Sequence, residues 1–248
     1  MVQNLQVGET VYVPRARLGL DANSPNAFHR TTVREVVNRS VRVDMPDGNW
    51  SDAVASSVVH RNVGLLICRI GDFQTELALL DPLAKSLLQY FRLLVPDDMV
   101  QLCEVRALQE MSQYWGQVHA AYSHVILIGH GRADGVLFGV GGWADAEKLV
   151  ALLSEPNPTP KTIVSLCCQT GYADFSKSFS EADVCHALVS PFHSVHGAIA
   201  SQFCQSFFAH HLLVGETPRI AFRHAREATP GSTRFRIWEN GRVTGGEP

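Results

Sequence analysis

No stretch of this 248-residue chain comes near the roughly 20 consecutive apolar residues that a bilayer span requires, and no basic segment followed by an apolar core opens it. A cytoplasmic protein without membrane partners is the expectation. A surplus of positive charge is missing too: 21 Lys+Arg stand against 24 Asp+Glu, a formal net charge of -3, which gives no electrostatic footprint for nucleic acid. Also absent is the tight, repeated Cys-x-x-Cys and His-x-x-x-His spacing of structural zinc sites. His193-x-x-His196 is a lone pair, and core or helix-start roles account for it and for nearby Cys185, His186, Cys204, His210 and His211, so neither metal nor cofactor is expected. The six cysteines (Cys68, Cys103, Cys167, Cys168, Cys185, Cys204) are scattered, four of them within apolar segments, which suits reduced thiols better than a disulfide framework. There is no internal repeat and no low-complexity tract.

What is present divides into two textures. Residues 1–62 hold short strand-like runs around Thr10, Thr31 and Ser40, with Pro46-Asp47-Gly48 as a turn signal and a Gly-, Asn-, Ser- and Pro-rich loop over 16–28. They predict a small all-β accessory module of SH3-like barrel type. Its Tyr12, Phe28 and Trp50 suit either a peptide groove or, more simply, the barrel's own core. Its arginines (Arg15, Arg17, Arg30, Arg34, Arg39, Arg42) read as a solvated face.

From residue 63 to 248 a different order begins. The run Val63-Gly64-Leu65-Leu66-Ile67-Cys68-Arg69-Ile70 has the length and composition of a buried strand. Predicted helices over 75–91, 108–122, 144–153, 197–213 and 218–227 alternate with predicted strands over 99–105, 124–129, 162–167, 187–191 and 235–238. That succession predicts an α/β domain with a mostly parallel sheet and helices on both faces, because parallel neighbours need crossover connections.

In such sheets ligands bind beyond the carboxyl ends of the strands. Two predicted strands end on reactive side chains: His124-Val125-Ile126-Leu127-Ile128-Gly129 delivers His130-Gly131, and Thr162-Ile163-Val164-Ser165-Leu166 delivers Cys167-Cys168-Gln169-Thr170-Gly171. A thiol becomes a useful nucleophile when an imidazole can take its proton. Gly131, with no side chain, lets a backbone amide approach a developing oxyanion beside the amide of the nucleophile. The chemistry alone leaves either cysteine open as the nucleophile.

An apolar strand ending in His-Gly, followed by one ending in Ser-x-Cys-x-Thr-Gly, resembles the caspase–hemoglobinase fold of cysteine peptidases, in particular its bacterial CHAT branch. The similarity covers 63–227 and extends to Phe207-Phe208, Leu212, Gly215 and Ala221-Phe222-Arg223-His224-Ala225-Arg226 near the end. Family members commonly carry Ala where this chain has Cys167. In that branch the nucleophile stands two residues before Thr-Gly, so the resemblance implies Cys168 as nucleophile, His130 as general base, and the amides of Gly131 and Cys168 as the oxyanion hole. It further implies a cysteine endopeptidase acting on a protein substrate in a bacterial stress or anti-phage response, under control of an activating protease or regulatory partner. The competing expectation is a catalytically silent caspase-like adaptor that binds a partner through its N-terminal barrel.

Three residues near the dyad in sequence are secondary substrate-binding candidates. Asp134 lies in the Asp-Gly turn after His130, Asp174 follows the Cys168 turn, and His193 follows the strand after it. The Ser-rich segment 171–182 suits a processing or ordering loop by composition.

Overall fold

The computed structural model describes residues 4–21, 24–156 and 158–246. The first strands are β1 (Thr10–Pro14), β2 (Phe28–Val37), β3 (Ser40–Val43) and β4 (Val54–Ala55), paired antiparallel in that order as a separate curled sheet. Alternate side chains point to one face, and Val11, Val13, Val33, Val41, Val43 and Val54 meet there in a small core of their own. Residues 22 and 23 of the expected loop lie outside the described residues.

The remaining elements, in chain order, are β5 (Leu65–Ile70), α1 (Asp81–Leu94), β6 (Val100–Val105), α2 (Leu108–Val118), β7 (His124–Ile128), β8 (His130–Arg132), β9 (Gly135–Phe138), β10 (Gly142–Asp145), α3 (Ala146–Leu153), β11 (Lys161–Ser165), α4 (Ala173–Glu181), β12 (Cys185–Pro191), α5 (Gly197–Phe208), α6 (Pro218–Ala228), β13 (Phe235–Glu239) and β14 (Arg242–Gly245). Seven strands form one mixed sheet in the order β14-β13-β12-β11-β7-β5-β6, with β13 and β14 antiparallel and the other five parallel. Strands β8, β9 and β10 make a small antiparallel sheet above it.

Strand alternation sorts the core into two layers. On one side Leu65, Ile67, Ile126, Val164, Val189 and Ile237 pack against α1, α5 and α6. On the other, Leu66, Cys68, Val125, Leu127, Ile163 and Leu188 pack against α2, α3 and α4. Strands β5, β7 and β11 are therefore buried at every position and mostly apolar, as a sheet covered on both faces demands. The chain is an α/β protein with a mixed, mostly parallel sheet, and among the described residues no helix is long and apolar enough to cross a membrane.

Two expectations are corrected. The segment 171–182 is not a loop: Phe175 and Phe179 are one helical turn apart, both fully buried, and fold it into α4 against the sheet despite its serines. Tyr12 and Phe28 form neither a groove nor the N-terminal module's own core. They are buried in the core that α1 and α5 share, with the Tyr12 hydroxyl 3.4 Å from Met99 Sδ, while Trp50 is exposed.

Candidate active site

Parallel pairing brings the two predicted strand ends together. Thr162 to Ser165 of β11 stand opposite His124 to Leu127 of β7, residue for residue. Counted onward past the strand ends, Cys168 stands level with His130. Backbone packing agrees: a Cβ on Gly131 would overlap the Cys168 carbonyl oxygen and come within 2.9 Å of Cys167 Cβ. Glycine is required there because the two chains touch, a stronger constraint than the free amide expected from sequence.

The adjacent cysteines differ in surroundings. Cys167 is fully buried, its Sγ directed at the Leu127 carbonyl at 3.9 Å, and burial pushes its thiol up to about 12. A thiol so desolvated does not ionise near neutral pH. It fills the place of a small apolar residue. Cys168, by contrast, is partly exposed. The other four thiols are buried and held above their ordinary value in the same way, and all six are free.

The turn carrying Cys168 is closed by a ring of hydrogen bonds. The Cys167 amide donates to Ser165 Oγ (3.3 Å), Ser165 and Thr170 share a hydroxyl contact (2.8 Å), and Thr170 Oγ1 donates to the Cys167 carbonyl (2.8 Å). Inside that ring Gln169 takes a left-handed φ of 65°, uncommon for a residue with a side chain and typical of turns that present a functional group. Gly171 then passes the end of β12 so closely that a Cβ would lie 2.7 Å from the Pro191 carbonyl carbon. Its amide donates to Pro191 O, and its own carbonyl accepts from Trp238 Nε1 at 3.2 Å. Thr170-Gly171 is thus the clamp of the turn.

His130 has partners that sequence reasoning missed. Its Nε2 lies 2.6 Å from Thr75 Oγ1 and 3.2 Å from Asp72 Oδ2. The Thr75 hydroxyl donates its one proton to Asp72, so its oxygen accepts from Nε2, which places the proton there and leaves Nδ1 as the unprotonated nitrogen. Asp72 accepts from the amides of Gln74 and Thr75 and from the Thr75 hydroxyl. Burial alone would raise its carboxyl; those hydrogen bonds and the neighbouring imidazole outweigh it and hold the group below its ordinary value.

The segment bearing Asp72 and Thr75 is itself anchored. Glu76 receives Arg106 through two bonds of 2.7 Å, lies 3.4 Å from buried Arg69, and accepts the Phe73 amide. Arg69, at the end of β5, also meets Asp81 at 3.1 Å and Glu104 at 3.2 Å. The Arg106 bonds, before the other contacts, lower the Glu76 carboxyl to about 2. The one sequence signal for this device was Asp72-x-x-Thr75, an Asx-turn pattern placed just past a buried strand.

The secondary candidates scatter. Asp134 sits in the β8–β9 turn and its carboxylate takes Arg132 at 2.5 Å, with the guanidinium stacked over Trp143 at 4.4 Å. Asp174 is exposed in the first turn of α4. His193 is exposed beyond the end of β12, on the edge that carries the dyad, its ring 6.1 Å from that of Tyr172. His196 caps α5 by accepting the Ala198 amide, the helix-start role expected for it. Set against known protein-family models and curated proteins, the chain matches none significantly.

Proposed function

We propose that the chain is a caspase-like cysteine endopeptidase of the caspase–hemoglobinase type, with an SH3-like module at its N-terminus, working through Cys168 and His130. The observation that carries this reading is the arrangement at one sheet edge. The turn that carries a partly exposed thiol packs its backbone against Gly131, next to an imidazole whose Nε2 meets Thr75 and Asp72. Apolar side chains of Phe73, Leu77, Val140 and Trp143 are exposed on the segments that follow β5 and β8 and offer contact area to an extended peptide.

In this reading His130 Nδ1 takes the Cys168 proton and the thiolate attacks the peptide carbonyl carbon. The tetrahedral oxyanion meets the amides of Gly131 and Cys168. The imidazolium returns its proton to the leaving amine as the C–N bond breaks, leaving a thioester. Water, losing a proton to the same imidazole, then releases the acid and restores the thiol. Asp72 and Thr75 keep the ring's orientation and tautomer.

The test is labelling with iodoacetamide together with turnover of a peptide library. Wild-type protein and Cys167→Ala are expected to label at Cys168 and to cleave; Cys168→Ala is expected to do neither. Wild-type protein that resists alkylation at Cys168 and cleaves no peptide would favour the silent adaptor, whose N-terminal module then has Trp50 as its exposed aromatic.

A further inference from the structure

At the far end of α5 the helix widens over Ala209–Val214 into a π-helical segment, turns at Gly215 and enters α6. Such loosened turns recur at functional sites. Here the turn aims three ligating groups at one point. Glu216 Oε2 lies 2.9 Å from His224 Nδ1 and 3.3 Å from His210 Nδ1, and all three atoms fall within 4.8 Å of one another. The His224 contact is a well-formed hydrogen bond. The His210 contact is not: its Nδ1 is shielded from solvent yet lacks the alignment of a bond to any partner. The rings, 4.9 Å between centroids, converge on the carboxylate.

Two imidazoles and one carboxylate form a donor set that holds Zn²⁺ with a fourth position open. Metal–ligand bonds of about 2.0–2.1 Å in a tetrahedron put ligand atoms ~3.4 Å apart, close to the spacing of the His210 pair. A metal ion would also give the unaligned His210 nitrogen the partner it lacks. Cys185, Cys204, His193 and His196 take no part: the first two are buried in β12 and α5, and His196 caps a helix.

The place of this site says what it would do. His211, next to it, packs its ring 5.3 Å from that of His124, the first residue of β7, whereas His130 lies two residues past the last. The site is therefore at the opposite end of the sheet from the dyad. The same segment receives the N-terminal module: His60 Nε2 donates to the Leu212 carbonyl at 2.8 Å, and a Cβ on Gly215 would overlap Ser57 O. We propose that His210, Glu216 and His224 bind one divalent transition-metal ion of zinc type, and that this ion stiffens the 209–217 turn on which the N-terminal module docks.

The test uses full-length, chelator-stripped Cys168→Ala protein, which removes the competing thiol–imidazole pair. Titration with Zn²⁺ is expected to give one equivalent, with hydrogen-exchange protection rising in 209–217 and 56–62. His210→Ala, His224→Ala and Glu216→Gln are each expected to weaken binding by more than the roughly 10–100-fold that loss of a mere supporting partner costs. Thermal unfolding in EDTA identifies any variant that fails to fold, and Glu216→Gln keeps the shape of the turn. Co²⁺ should bind without a thiolate charge-transfer band. No stoichiometric binding, a thiolate band, or affinity unchanged in all three variants would overturn the site; binding that leaves 56–62 unprotected would overturn its link to docking.

Discussion

The catalytic competence of a thiol depends less on its identity than on how water and charge reach it, and the two adjacent cysteines illustrate this at the scale of single residues. Cys167 points into the layer between sheet and helices and stays neutral; Cys168, one peptide further, is partly exposed beside the His130-Gly131 chain. The same scale explains Asp72. Its carboxylate lies 3.2 Å from His130 Nε2 and accepts the Thr75 hydroxyl that meets the same nitrogen, so it orients the ring. Asp72→Asn is expected to lower kcat about 10²-fold, the modest end for such a group because Thr75 still orients the ring. KM should hold. Steady-state kinetics that keep the wild-type kcat would remove Asp72 from the mechanism.

Between residue and whole stands the segment linking β5 to α1, which the sequence marked simply as the start of a helix. It is a turn held by charge. Glu76 binds Arg106 and Arg69, and through the Phe73 amide it ties down the chain that carries Asp72 and Thr75. Because the folded Glu76 carboxyl is lowered to about 2 from an ordinary 4.5, its stabilisation is complete above pH ~4.5 and is lost as pH falls toward 2. Glu76→Gln is expected to lower stability, since it removes the carboxylate that holds exposed Arg106 and buried Arg69, although Arg69 retains Asp81 and Glu104. Urea unfolding at pH 7 and pH 3 checks both statements: the gap between wild type and variant should shrink in acid. An undiminished gap would mean that the carboxylate is not the anchor.

Across the whole molecule the joint between the N-terminal sheet and the α/β body is lined with neutral histidine. His60 donates to Leu212 O, and His124 packs against Phe208 and His211. Burial, before any neighbour, lowers both below 6.5, His124 furthest. In the unfolded chain they protonate near 6.5 and in the folded one later, so their contribution is complete above that pH and falls away below it. The slope is about 1.4 kcal/mol per pH unit for each histidine. Between pH 7 and pH 5, hydrogen exchange is therefore expected to loosen 56–62 and the start of β7 before the centre of the sheet. Uniform loss of protection, with no preference for the joint, would contradict this.

Much of the architecture was legible because it obeys local rules: continuous apolar runs became the buried strands, and 3.6-residue periodicity became α1, α2, α5 and α6. The reactive strand ends were legible for the same reason, as were the Thr-Gly positions whose physical role is the hydrogen-bonded clamp. Helix α4 escaped notice because two phenylalanines one turn apart outweighed a polar composition once the sheet was there to cover them. What no local reading could supply were partnerships between distant segments. Thr75 and His130 are 55 residues apart and meet because β5 and β7 are neighbours in the sheet. His210 and His224 converge on Glu216 because a widened helical turn folds back before α6. Residue types and strand ends are written in the chain itself, whereas burial, tautomer and convergent geometry arise where separate elements pack together.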